Sequence, residues 1–598
     1  MSSSATPSIY QTFGSPPRVS HNPSDKQQQQ QQHHHHHHTH PNITSNHGNT
    51  NIITGSPPRL HRQHVRPPDS TRVRRPRRRS RSPGIILLLF AFTTLLRILI
   101  GFHHHSGQDN HHGSKVAYGG DFEAQRHWME LTLHLPVGDW YWYDLEYWGL
   151  DYPPLTAYVS YACGWISHHL VGPHTVALDE SRGIEDPVHK AYMRATVLVL
   201  DVLVYGTAVW WSTYRGDKKS LWAVMIALIQ PAILLIDHGH FQYNTVALGL
   251  SIAAFYAMVQ GPAFESCVWG GFFFVLALNF KQMTLYYAPV VFFYLLGRCL
   301  ARPTWFLPRI LWLGFVVLFT FYVLWEPFIK YPPSQDVTIP YFQRLQHVLR
   351  RIFPFQRGLF EGKVSNLWCA LNTSPINIRD RIPSEQQPLL ALAATVVLML
   401  PSCIRILYLG YHEPNTRHLV EKHWNLLLWA TTSCALSFFL ASFQVHEKSF
   451  LLALAPCTSL LWQDPAFVEW FSFVCVWSLW PLLQVDRLQL AYGCTVAIFV
   501  SMVWFRRMGM GQLTVPTVFS GNLLLRIVPF LSYVGMIGLH VAQVVVPPPP
   551  TLPDLYEVLW SVMGCGMFVL AWMVTVGKLY FSQPVSYSQS TTSKVKTE

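Results

Sequence analysis

The chain has 598 residues, of which 50% are apolar and only 13% charged, with a mean hydropathy of +0.17. These values exclude a disordered protein and fit a soluble one poorly, because the surplus apolar residues need a lipid phase. The net charge of +12 looks like a nucleic-acid signal until it is divided along the chain, since residues 1–83 alone carry +10 of it.

Residues 1–83 combine Ser, Pro, Gln and His, including a glutamine run ending at Gln32 and histidines at 33–38, with no apolar periodicity. They are expected to form a disordered, low-complexity basic tail. The histidine run belongs to that tract and is not read as a metal site. Ten arginines between Arg59 and Arg81 directly precede the first apolar segment. Such a cluster is first of all a topology determinant and argues for a cytosolic N-terminus; RNA or anionic-lipid binding is the weaker reading, and no nucleic-acid partner is expected. No cleavable signal peptide is expected, because the first apolar segment begins more than 80 residues in. The 10 cysteines sit mostly inside apolar blocks without the spacing of a metal knuckle or a disulfide framework.

The first span is predicted over 85–102, and a polar, aromatic-rich loop follows to about residue 190. Within it, 155–170 is long enough to tempt assignment as a span. If it crossed, Arg215, Lys218, Lys219, Arg298, Arg302, Arg506 and Arg507 would all fall outside; if it does not, all are cytosolic. The segment is therefore read as an interfacial helix started by Pro153 and Pro154. Further spans are predicted between residues 190 and 577, among them 243–260, 265–280, 447–462 and 466–483, for about 14 crossings in all. The expectation is an all-α polytopic membrane protein: tail 1–83, transmembrane domain 84–580, C-terminal tail 581–598, both termini cytosolic, and two long loops at 103–190 and 328–386 on the other side.

In the first loop Asp121 and Glu123 lie two residues apart, with Arg126, His127 and Glu130 close behind. Carboxylates in an interfacial, low-dielectric site can be tuned for general-base work; the plainer reading is a solvated helix cap. Farther along, Trp140, Tyr141, Trp142, Tyr143, Tyr147 and Trp148 precede Asp151 and its double proline. An interfacial belt is the favoured reading of these rings, although flat rings also grip sugars and lipid tails. Asp151 reads as a helix cap.

Four more polar clusters fall on the same side as that loop: Asp237, His238, His240, Gln242 and Asn244; Lys281 and Gln282; Arg357, Glu361 and Lys363; and His446, Glu447 and Lys448. Ionisable residues at one end of several spans describe an active-site cavity or the mouth of a transport path. A metal site is not indicated: there is no HExxH, no Cys partner, and His238 and His240 flank Gly239 instead of sharing a helix face. GxSxG and a phosphate-cradling glycine loop are also missing.

At 120–132 (GDFEAQRHWMELT), 148–158 (WGLDYPPLTAY), 237–244 (DHGHFQYN), 279–285 (NFKQMTL), 351–368 (RIFPFQRGLFEGKVSNLW) and 443–452 (FQVHEKSFLL) the chain resembles the dolichyl-phosphate-glucose glucosyltransferases, endoplasmic reticulum membrane enzymes of the GT-C type. The resemblance spans about residues 85–580, and the tail inherits no role from it. Within the family, DHGHFQYN and LDYPPLTAY resemble the members that add the first glucose to the nine-mannose dolichyl-diphosphate-linked oligosaccharide; the second-glucose members are the nearest alternative, and a non-enzymatic polyprenyl-lipid transporter is the competing class. The resemblance implies an inverting transfer of glucose from dolichyl-phosphate-glucose, with a lumenal active site and no metal or other cofactor. It implies Asp121 as base, Glu123, Arg126, His127 and Asp151 as groups orienting the base or acceptor, and His446, Lys448 and Arg357 on the donor phosphate. His238, His240, Gln242, Asn244, Lys281, Gln282 and Glu447 would line the same cavity. Asn372, in the sequon Asn372-Thr373-Ser374, is a glycosylation candidate on the second lumenal loop.

Overall fold

A computed structural model of the chain describes residues 83–108, 119–261, 263–353, 359–360, 364–413, 419–509 and 523–581. Of the expected tails, 1–83 and 581–598, all but residues 83 and 581 lie outside them, as do the predicted site residues Arg357, Glu361 and Lys363. In lipid a backbone must satisfy its own N–H and C=O groups, which favours helix wherever the apolar runs are long, and the described residues contain helices and no strand.

In chain order the helices are α1 (Pro83–Gly101), α2 (Asp121–His134), α3 (Pro154–Leu170), α4 (Pro187–Thr213), α5 (Lys218–Leu228), α6 (Pro231–Phe241), α7 (Asn244–Val259), α8 (Glu265–Phe280), α9 (Gln282–Leu300) and α10 (Pro303–Lys330). There follow α11 (Tyr341–Ile352), α12 (Leu367–Leu371), α13 (Gln387–His412), α14 (Val420–Ala441), α15 (Leu451–Thr458), α16 (Pro465–Ser478), α17 (Trp480–Val485), α18 (Gln489–Gly509), α19 (Leu523–Val545) and α20 (Leu555–Phe581). Among the described residues nine helices are long and apolar enough to cross a membrane, and α5 with α6 makes a tenth if that pair, bent by 40°, is one span. The polytopic fold agrees with expectation, but several predicted spans are shorter than a crossing. Segments 243–260 and 265–280 form α7 and α8, 16 residues each and about 24 Å long at 1.5 Å per residue, against ~30 Å of hydrocarbon. Segment 447–462 is interrupted by turns and keeps only the eight-residue α15, and 466–483 is split at Leu479 into α16 and α17. Apolar run length is blind to these breaks.

The helix α14 runs through the middle, with 89% of its apolar window buried, whereas α10 has only 6% buried and turns Leu311, Phe315, Leu318 and Phe319 outward. The helix α3, 17 residues long, is not among the spans and packs on α2 and α8.

The aromatic loop between α2 and α3 does not form the predicted belt. Trp140, Tyr141 and Tyr147 are buried, and Trp140 and Tyr141 hold Phe328 of α10 between them at ring separations of 5.8 and 5.1 Å. Trp142 stacks on His347 of α11 with centroids 3.6 Å apart. These rings pack on one another and on the end of α10, and the Trp142–His347 stack joins the two long loops.

Two elements meet at both of their ends, which fixes the polarity of the bundle. At one end Lys218, opening α5, donates to the carbonyl of Gly509 at 3.2 Å; at the other, His240 of α6 lies against Asp486, just before α18. The basic residues Lys218, Arg506 and Arg507 therefore sit at the end of these helices away from Asp121, His240 and Asp486.

Candidate active site

The approach to Asp121 is set by a crossing of two backbones. The Ser106 N–H donates to the His240 carbonyl at 3.0 Å, and the Gly120 N–H donates to the Ser106 carbonyl at 3.3 Å. A Cβ on Gly120 would lie 2.0 Å from Ser106 Oγ, so the crossing needs glycine. Asp121 then becomes the first residue of α2, where the unsatisfied N–H groups of the first turn favour a carboxylate.

Facing it is the last turn of α6, whose ladder widens over Leu235–Phe241 so that the Gln242 N–H reaches the Asp237 carbonyl at 3.2 Å. Such widened turns recur at functional sites. Here the widening sends neighbouring side chains to different partners. His240 Nε2 lies 2.7 Å from Asp121 Oδ2, while His238 Nε2 lies 2.7 Å from Asp201 Oδ2 on α4. Asp201 also takes Arg97 Nε of α1 at 2.5 Å. His238 is thus an internal brace joining three helices, not a cavity residue.

Three donors converge on one oxygen of Asp121. His240 Nε2, Gln242 Nε2 and Lys448 Nζ all contact Oδ2, and among the described residues no donor reaches Oδ1. The Asp121 side chain keeps 28% exposure. Behind this first layer, Lys281 Nζ donates to Gln242 Oε1 at 2.7 Å and to Asn244 Oδ1 at 2.5 Å, and Asn244 Nδ2 donates to Asp237 Oδ1 at 2.7 Å. Burial by itself would raise the Asp121 carboxyl, but the Lys448 ammonium and the His240 ring overcome it and hold Asp121 well below the usual carboxylate range.

The other residues predicted on α2 turn away. At 100° per residue Glu123 points across the helix from Asp121. It receives Arg126 Nη2 at 2.5 Å, Tyr147 Oη at 2.9 Å and the Gly183 N–H at 3.2 Å. Arg126 also holds Glu130 and Ser181, and His127 Nδ1 lies 2.5 Å from Glu130 Oε1. Arg126 and His127 have no exposed surface, and none of these groups contacts Asp121; they bind α2 to the aromatic loop and to 177–183. Burial alone would raise the Glu130 carboxyl, and the His127 and Arg126 contacts more than offset it, holding it at about 2.

The Asp151 carbonyl accepts from Gln282 Nε2 at 3.2 Å and its carboxylate acts electrostatically on Lys281, while the same Gln282 amide reaches the Ile352 carbonyl, so Gln282 joins two loops. His446 is exposed at the turn that carries Lys448, and its N–H donates to Ser449 Oγ at 3.2 Å. Glu447 is half-buried between them. Asn372 ends α12 and accepts the Arg379 N–H at 3.1 Å.

Sequence reading missed Asp486. Its Oδ2 lies 2.6 Å from His240 Nδ1. The signal was an acid in the short gap between predicted spans at 484–487, on the same side as the other clusters. Arg194 was missed too; it donates to the carbonyls of His238 at 2.6 Å and Gly239 at 2.8 Å and so carries the backbone of the widened turn. Three non-glycine residues with left-handed backbone flank the site, Phe241 (φ 87°), Gln444 (φ 61°) and Arg487 (φ 56°). Strain of this kind persists where the surroundings over-determine it, often at functional sites.

The chain belongs to the ALG6, ALG8 glycosyltransferase family, whose family model matches residues 93–574. It is 41% identical over 472 residues to a probable dolichyl pyrophosphate Man9GlcNAc2 alpha-1,3-glucosyltransferase of Schizosaccharomyces pombe, covering 77% of this chain and 86% of that one. It is 38% identical over 527 residues to the dolichyl pyrophosphate Man9GlcNAc2 alpha-1,3-glucosyltransferase of Saccharomyces cerevisiae, covering 83% of this chain and 91% of the relative. The protein of that name from Rattus norvegicus is 37% identical over 479 residues, 75% of this chain and 88% of its own.

Proposed function

We propose that the chain is an inverting glucosyltransferase that moves glucose from dolichyl-phosphate-glucose to the nine-mannose dolichyl-diphosphate-linked oligosaccharide, forming the first α-1,3-glucosidic bond. Family membership and the names of the relatives support the acceptor and the linkage. The donor is inferred from the resemblance of the six motifs and from the cations beside Asp121. The observation that carries the mechanism is the convergence of three donors on Asp121 Oδ2, while among the described residues no donor reaches Oδ1.

In this scheme the acceptor mannose 3-hydroxyl gives its proton to Asp121 Oδ1 as its oxygen bonds the anomeric carbon of glucose. The bond from that carbon to the phosphate oxygen breaks, and its electron pair leaves with dolichyl phosphate. One displacement inverts a β-linked donor to an α product and needs one base. A phosphate leaving group needs charge stabilisation more than a proton, so no second carboxyl acid of the glycosidase kind is called for. Lys448 is the described cation suited to that task, with His446 and Arg357 assigned to it by resemblance. The scheme uses no metal and no cofactor. It sets the enzyme in the endoplasmic reticulum membrane with both termini cytosolic and Asp121 lumenal, in keeping with the basic ends of α5 and α18 lying opposite the site.

The test is to incubate purified protein with dolichyl-phosphate-glucose and, separately, nine-mannose and singly glucosylated acceptors, following acceptor mass. One added hexose on the nine-mannose acceptor alone is expected. Gain only on the glucosylated acceptor would make the chain a second-glucose enzyme, and no gain on either would overturn the transferase reading.

A further inference from the structure

Asp486 lies outside every motif that led to the functional reading, yet its side chain, 3% exposed, sits 2.6 Å from His240 Nδ1 while Asp121 Oδ2 sits 2.7 Å from Nε2 of the same ring. An ionised carboxylate can only accept. A ring with a carboxylate at each nitrogen satisfies both when both nitrogens carry a proton. We propose that Asp486 is a positioning residue for glucosyl transfer: it holds His240 as an imidazolium aimed at Asp121 Oδ2, and so decides which oxygen of Asp121 meets the acceptor hydroxyl.

The backbone around Asp486 is built to present it. Asp486 follows the last turn of α17, after which Arg487 takes a left-handed conformation, its N–H reaching the Gln484 carbonyl at 3.2 Å and the Leu488 N–H reaching the Leu483 carbonyl at 2.8 Å. That pair of bonds is a Schellman closure, with arginine where glycine is usual. The closure drops Leu488 onto Gly239, where an added Cβ would lie 3.1 Å from Leu488 Cδ1. The turn that offers the carboxylate is thus pinned to the backbone that offers the ring. From the other side Arg194 of α4 anchors the carbonyls of His238 and Gly239.

The charged groups facing His240 are Asp121 from α2, Lys448 at 3.0 Å from Nε2, Asp486, and Arg194 against the neighbouring carbonyls. On its own element, His238 is taken up by Asp201, and Asp237 by Asn244 and the Thr245 N–H. Lys448 and Arg194 disfavour a charged ring, and Asp121 alone has two further donors to serve. Asp486, which hydrogen-bonds to no other side chain among the described residues although it also lies in the field of Arg194, is the carboxylate left to keep the ring protonated. The logic is that of a buried acid fixing the protonation and orientation of a histidine that touches the reacting group.

This inference rests on Asp121 acting as the base, so the test measures the unaltered chain alongside the variants. Full-length protein in liposomes is assayed with dolichyl-phosphate-glucose and the nine-mannose acceptor across a pH series. For D486N, kcat is expected to fall about 10- to 100-fold with both KM values within about 3-fold, and the alkaline limb of the rate profile to move down by about one pH unit or more, because an uncharged neighbour no longer favours the charged ring. D486E, which keeps the charge, should keep the alkaline limb of the unaltered chain. D486S takes the place of D486N if the latter does not accumulate. A neutral variant with normal kcat, or with reduced kcat and an unmoved alkaline limb, overturns the inference alone. Absence of transfer by the unaltered chain overturns the functional reading and this inference with it.

Discussion

Lys281 Nζ donates to Gln242 Oε1, and that bond decides which end of the Gln242 amide faces Asp121. With the oxygen engaged by Lys281 and by Asn244 Nδ2, the amide presents its N–H to Oδ2. Without the lysine only Asn244 Nδ2, at 3.1 Å, holds that oxygen away from the carboxylate. Lys281→Met is therefore expected to lower kcat ~10- to 100-fold, since a hydrogen bond to a charged group contributes about 1.5–3 kcal/mol and each ~1.4 kcal/mol is tenfold in rate. Steady-state transfer kinetics check it; an unchanged kcat would remove Lys281 from the site.

Asp121→Asn keeps the shape of the side chain and removes the proton acceptor. Turnover is expected to fall by at least ~100- to 10,000-fold, the usual contribution of a general base, while binding of dolichyl-phosphate-glucose persists. Single-turnover transfer and donor titration separate the two effects. A variant that transfers glucose at near the original rate would end the assignment.

Glu130 makes a pH-dependent contribution to stability. Its folded value is lowered from 4.5 to about 2, so the stabilisation is fully present above pH ~4.5 and is lost as pH falls towards 2. Glu130→Gln should destabilise by about 3 kcal/mol near neutral pH, the low end for breaking a buried pair, because Arg126 retains Glu123. Unfolding of both forms in detergent should show this gap narrowing as pH drops below 4.5. A gap independent of pH would mean that Glu130 acts by shape alone.

Transfer is expected to survive prolonged chelation with EDTA. The proposed displacement rests on one carboxylate and fixed side-chain cations. Activity lost to the chelator and restored by a divalent ion would require a different account of the leaving group.

The sequence displayed the polytopic class, since apolar blocks and the placement of basic clusters report lipid and sidedness directly. Asp121, His240, Gln242 and Lys448 were legible as members of polar clusters on one side, and the structure brings these four together. Glu123, Arg126 and His127 were grouped with them on nearness in sequence, which ignores the turn of the helix that sends Asp121 and Glu123 to different faces. His238 and His240 look equivalent in DHGHFQYN, and only the widened turn separates brace from site. Asp486 escaped because a single acid between two apolar runs has no local pattern; its meaning lies in a ring 246 positions earlier in the chain. The aromatic loop was misjudged for a related reason: composition says that rings will be buried, but not whether by lipid or by one another.

The exposure of α10 has a mechanical side. A helix of 28 residues is about 42 Å long, well over the ~30 Å of hydrocarbon. Its far end is no free rod: Trp325 Nε1 donates to Asn279 Oδ1 at 2.6 Å, two residues from Lys281, and Phe328 is the post on which Trp140 and Tyr141 rest. The most lipid-exposed helix of the bundle thus ends on the aromatic loop and on the line of contacts that leads to Lys281.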